Sequence, residues 1–149
     1  MKRLKLAALD SEDLGVLSAY TQDGVLKVGD IRYSKADHRV IFEINRFVWE
    51  GAGDGKKRRT YERRRSVLHF ARVNAVRSTG IDQSHRDGVL NLLSMRFVPF
   101  DTATPDDPSG VVELSFSGDG TLHLLVECVE AQLTDLDASW ETLGRPKHA

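Results

Sequence analysis

The chain has 149 residues, of which 40% are hydrophobic, 29% charged and 7% aromatic, with a single cysteine, Cys128. This composition suits one globular domain over residues 1–149; it excludes a collagen-like chain, a coiled coil and a disulfide scaffold, and no apolar run approaches the ~18 residues of a transmembrane helix. The net charge of −1 hides an asymmetry: residues 1–77 carry 17 Lys+Arg against 10 Asp+Glu, and residues 78–149 only 4 against 12.

Leu4, Leu6 and Ala8 alternate with Lys5 and Ala7 and predict a short first strand. The run Leu4–Leu9 is broken by Lys5 and lacks the roughly 7–15-residue apolar core of a signal peptide, so a cytoplasmic location is expected. Asp10 or Ser11 then caps a helix by accepting a backbone N–H of its first turn. Glu12 and Asp13 sit at the positive end of its dipole, and Leu14, Leu17 and Ala19-Tyr20 fall at helical spacing. The helix should stop around Gln22 to Gly24.

The period then changes to two. Val25–Tyr33 reads as a strand interrupted at Gly29-Asp30, Ser34–His38 as a turn, and Arg39–Phe47 as the return strand of a hairpin. Gly51–Gly55 and the basic run after it read as a long flexible loop. Arg65–Arg77 reads as one strand whose apolar set changes face, from Leu68 and Phe70 to Val73 and Ala75, across a bulge near Ala71-Arg72. Gly80–Gly88 is loop. Val89–Phe100 is a strand with Leu90, Leu92 and Phe97-Val98 in the core, and Thr102–Gly110 is a surface loop. Val111–Ser117 and Thr121–Cys128 form a second hairpin about Ser117–Gly120, where both glycines tolerate positive φ. The last element fits two patterns. Val126, Val129, Leu133, Leu136 and Trp140 recur at helical spacing, whereas Val129, Ala131 and Leu133 also continue a strand; the expectation is a short C-terminal helix, with 144–149 a flexible tail. The sum is an α+β domain: mainly antiparallel β, about seven strands in a curved sheet or partly open barrel, with the helices over an open end or edge. A pleckstrin-homology-like barrel is one specific version.

Four stretches, LKLAALDSEDLGVLSAYTQDGVLKVGDI, NRFVWE, RRRSVLHFARVNAVRSTGID and VECVEAQLTDL, resemble the bacterial family catalogued as domain of unknown function 2948. The resemblance covers nearly the whole chain. It implies a small single-domain protein of unassigned activity and supplies no catalytic or ligand residue.

Most chemistry-bearing patterns fail on inspection. Gly51–Gly55 followed by Lys56 and Lys57 lacks the leading glycine and the hydroxyl residue of a phosphate-binding P-loop. His38, His69, His85, His123 and His148 are too scattered for a local metal site, so no metal or cofactor is expected. Cys128 reads as a core thiol beside Val126, and Ser78, Asp82, Ser84 and His85 lie on one loop, where Asp82 more simply turns back onto Ser84.

What remains is charge. Lys56, Lys57, Arg58, Arg59, Arg63, Arg64 and Arg65 crowd ten positions, with Arg46, Phe47 and Trp49 just before them. Basic charge beside aromatics suits an anionic partner. The reading favours a binding or adaptor module over an enzyme, contacting an acidic protein through this basic loop or self-associating through its oppositely charged halves. The alternatives are a small-ligand-binding barrel or enzyme with an unrecognised site, and a weak nucleic-acid binder.

Overall fold

Alternation of apolar and polar residues governs most of the chain, and the computed structural model, which describes residues 3–49, 61–101 and 104–136, turns it into ten strands and one α-helix. In chain order they are β1 (Lys5–Ala8), α1 (Ser11–Thr21), β2 (Val25–Lys27), β3 (Ile31–Ser34), β4 (Arg39–Trp49), β5 (Tyr61–Phe70), β6 (Val73–Thr79), β7 (Val89–Pro99), β8 (Gly110–Phe116), β9 (Thr121–Val126) and β10 (Ala131–Asp135). The α+β, mainly antiparallel class is as expected, with ten strands in place of seven.

Three local departures account for the difference. Val25–Tyr33 is divided by a 3-10 turn at Val28–Asp30, so that β2 and β3 lie one after the other along the same side of β4. Arg65–Arg77 is two strands, because Arg72 takes a positive φ of 61° and turns the chain a corner; β5 pairs with β4 and β10, whereas β6 pairs with β9. Finally, the expected C-terminal helix is a strand over 131–135. Its alternation wins because β1 and β5 flank it and supply hydrogen-bond partners on both sides, burying Ala131, Leu133 and Asp135. Cys128 consequently lies in the bend between β9 and β10, half-buried, not on a strand. The proposed tail, 144–149, falls outside the described residues.

The strands follow one another as β1-β10-β5-β4-β2-β7-β8-β9-β6, with β3 beside β4. The sheet curls until its flanks approach each other at a seam between β3 and β6. At one end of that seam Val73 N–H donates to His38 C=O at 2.9 Å and the Tyr33 hydroxyl donates to Asn74 C=O at 3.2 Å. The two corners also touch: Ala71 N–H donates to Glu130 C=O, and Glu127 N–H to Arg72 C=O.

The concave face holds the core. Val40, Phe42 and Ile44 of β4 alternate inward, as do Leu68 and Phe70 of β5, Val112, Leu114 and Phe116 of β8, and Leu122, Leu124 and Val126 of β9. The Phe42 and Phe70 rings meet edge to face, with centroids 6.1 Å apart. Helix α1 closes the concave face with Leu14 and Leu17. Its N-cap is Asp10, whose Oδ1 accepts Asp13 N–H at 2.8 Å. At the β8–β9 turn the positive φ values belong to Gly118 and Asp119, not to Gly120.

Phe42→Ala should lower the unfolding free energy by about 3–5 kcal/mol, since it opens a cavity against Phe70. Leu9→Ala, at a position 68% exposed, should change it by less than about 0.5 kcal/mol. Urea denaturation of both variants checks the contrast.

Candidate functional site

Strands β4 and β5 form the longest ladder of the fold, pairing continuously from Val40–Phe70 to Trp49–Tyr61. Residues 40, 42, 44 and 46 of β4 and 64, 66, 68 and 70 of β5 face inward. That parity carries Arg46 and Arg64 into the interior, where they are 5% and 8% exposed. Two of the basic residues read as partner contacts are therefore structural.

Their counter-charge comes from the far end of the chain. Asp135 is 1% exposed. Its Oδ1 accepts Arg46 Nε–H at 2.9 Å and the Ser66 hydroxyl at 2.6 Å. Its Oδ2 accepts Arg46 Nη2–H at 2.8 Å and Leu4 N–H at 2.9 Å, with Arg64 Nη1 at 3.5 Å. The Arg46 pair is bidentate, the strongest geometry for a guanidinium and a carboxylate. Burial pushes the Asp135 carboxyl up, but hydrogen bonds from Arg46, Ser66 and Leu4 and the charge of Arg46 outweigh it, so the group sits below the usual carboxylate range. The site thus fastens β4, β5, β10 and the residue preceding β1 to one carboxylate.

The outer face of the same hairpin is different. Phe47 is half-buried, and the exposed Arg63, its partner across the ladder, places its guanidinium 5.5 Å from the Phe47 ring centroid. Arg65 pairs with Glu43 at 2.6 Å and is partly neutralised. Trp49 ends β4. Lys56, Lys57, Arg58 and Arg59 belong to the segment joining the two strands and lie outside the described residues. Of the ten residues read from sequence, the structure thus brings Phe47 and Arg63 together outside, turns Arg46 and Arg64 inside, and ties Arg65 to Glu43. Sequence reasoning missed Asp135, Ser66 and Glu43. Only the inward parity of β10 points to Asp135, and the helical spacing of Val129, Leu133 and Leu136 masks that parity.

Elsewhere, Asp82 Oδ1 accepts both Ser84 N–H and the Ser84 hydroxyl, the turn expected of it. These bonds outweigh the opposing effect of desolvation and, with lesser help from His85, hold the Asp82 carboxyl below its ordinary range. On the outer face of β7, β8 and β9, Glu113 takes His123 Nε2 at 3.0 Å and Arg96 Nε at 2.7 Å, a cross-strand charge ladder. Among the described residues no three His, Cys, Asp or Glu side chains come together to hold a metal, and no helix is long and apolar enough to cross a membrane.

Asp135→Asn should cost about 3–5 kcal/mol at neutral pH, because it leaves buried guanidinium charge without its carboxylate. The depressed folded value also fixes a sign. The stability Asp135 contributes is complete above the unfolded carboxylate value of about 3.9 and is lost as pH falls through the folded value. Between pH ~5 and pH ~2 the wild type should therefore lose more stability than Asp135→Asn, as read by urea unfolding at a series of pH values.

No curated protein and no solved structure matches this chain. The sequence model of a family described as protein of unknown function (DUF2948) matches residues 4–148, nearly the whole length and every element described above. The chain belongs to that family.

Proposed function

We propose that this protein is a non-enzymatic binding module that grips an acidic protein surface with the far end of the β4–β5 hairpin. The observation that carries the reading is the Arg63–Phe47 stack: a guanidinium held over a ring on the outer face. Such a cation on an aromatic plate is pre-ordered, so it loses little side-chain entropy when it meets a carboxylate. The segment joining the strands carries Lys56, Lys57, Arg58 and Arg59, which add charge close to the stack in sequence. Arg65 contributes less, because Glu43 already compensates it. Arg46 and Arg64 serve the site indirectly, by tying the ladder pair next to Phe47 and Arg63 to Asp135.

The test is fluorescence anisotropy with a labelled poly-glutamate peptide and, separately, a labelled oligouridine, at low and moderate salt. The peptide should bind, with affinity falling as salt rises. The triple variant Arg58→Glu, Arg59→Glu, Arg63→Glu should weaken it tenfold or more without loss of folding, since Arg63 is exposed. Preference for oligouridine would shift the reading to nucleic acid. Equal peptide binding by the variant would overturn it.

A further inference from the structure

The seam between β3 and β6 is shut at the His38 end and opens at the other into a cleft of about 240 Å³, room for about eight waters. Its walls come from both flanks of the curled sheet. Ile31 and Tyr33 stand on one side, Val76, Ser78 and Leu122 on the other, and Val28 with the loop residues Ile81, Gln83 and Arg86 complete it. Five of its nine lining residues are aliphatic, with Ser78, Gln83 and Arg86 as polar groups, a make-up that suits a small-molecule site.

Each of these polar groups has a hydrogen to donate. Gln83 Nε2–H donates to Ser78 Oγ at 2.5 Å, which leaves the serine hydroxyl hydrogen to be offered elsewhere. Arg86 Nη2–H donates to Gly29 C=O at 3.2 Å, using one of five N–H donors. The guanidinium is also held in place from below. A Cβ on Gly29 would come within 3.4 Å of Arg86 Nε and 3.1 Å of Arg86 C=O, so the Arg86 side chain lies against this glycine and would have to give by a few tenths of an ångström to admit a side chain there. Gly29 N–H returns a bond to Arg86 C=O at 2.9 Å. No Asp or Glu lines the cleft, and among the described residues no carboxylate pairs with Arg86.

From this placement we infer that the β3–β6 cleft is a binding site for a small monocarboxylate with a compact apolar body, its carboxylate on Arg86 and Ser78 and its body against Ile31, Val76, Ile81 and Leu122. One planar guanidinium matches one carboxylate in charge and in fork geometry. The inference is independent of the hairpin reading, since it uses neither the same residues nor the same face.

The experiment is a titration of the full-length ¹⁵N-labelled protein with 3-phenylpropionate, followed by amide chemical shifts, beside the neutral isostere 3-phenylpropionamide. The acid should produce saturating shifts at Ile31, Ser78, Ile81 and Gln83. The amide should bind tenfold or more weakly, because it removes a charge-assisted hydrogen bond. Arg86→Gln, at an exposed position that leaves the core untouched, should weaken the acid to the level of the amide, and Gly29→Ala, which keeps the charge but displaces it, should weaken it as well. Absence of saturating shifts at those amides, equal affinity for acid and amide, or an unaltered Arg86→Gln would each overturn the inference.

Discussion

One buried carboxylate organises the larger part of this fold. Asp135 receives hydrogen bonds from β4, β5 and the chain just before β1, and it lies at the last position of β10. A buried ion pair is poor evidence of net stability, because desolvation offsets much of the Coulomb attraction. Its value here is in register. A one-residue slip of β10 along β5 would turn Asp135 outward and set Thr134 or Leu136 against the buried Arg46 guanidinium. The same slip would turn Ala131 and Leu133 out of the core and bring Gln132 and Thr134 into it, so the ion pair and the apolar pattern select one register together.

The same parity separates buried from exposed charge along a single hairpin. Arg46 and Phe47 are adjacent in sequence, yet one is locked to Asp135 and the other supports Arg63 in solvent. Arg63, Arg64 and Arg65 are likewise three consecutive arginines with three different surroundings: an aromatic ring, a buried carboxylate and the half-buried Glu43. A basic run counted as a block overstates the cationic surface, since alternate members of a strand face opposite sides of a sheet.

Much of the architecture was legible. The Asp10 cap, the helix from Ser11, the return strand from Arg39 and the β8–β9 hairpin follow from local chemistry acting over a few residues. What escaped was whatever depends on partners distant in sequence. The 131–135 segment carries apolar residues at both strand and helix spacing, and only its position between β1 and β5 decides between them. The corner at Arg72 looked like a bulge because a positive φ in a non-glycine residue leaves no trace in composition. The seam cleft was invisible for the same reason: Ile31, Val76, Arg86 and Leu122 come from four segments and share no pattern.

The order of strands has a consequence for biosynthesis. Strand β10 lies between β1 and β5, so residues made late are inserted between residues made far earlier. While the polypeptide is still emerging from the ribosome, β4 and β5 are free to zip together, but the guanidinium of Arg46 waits for a carboxylate about ninety positions downstream. Completion of this part of the sheet accordingly waits for β10, and until that strand arrives the unpaired edge of β5 is the surface a chaperone would have to shield.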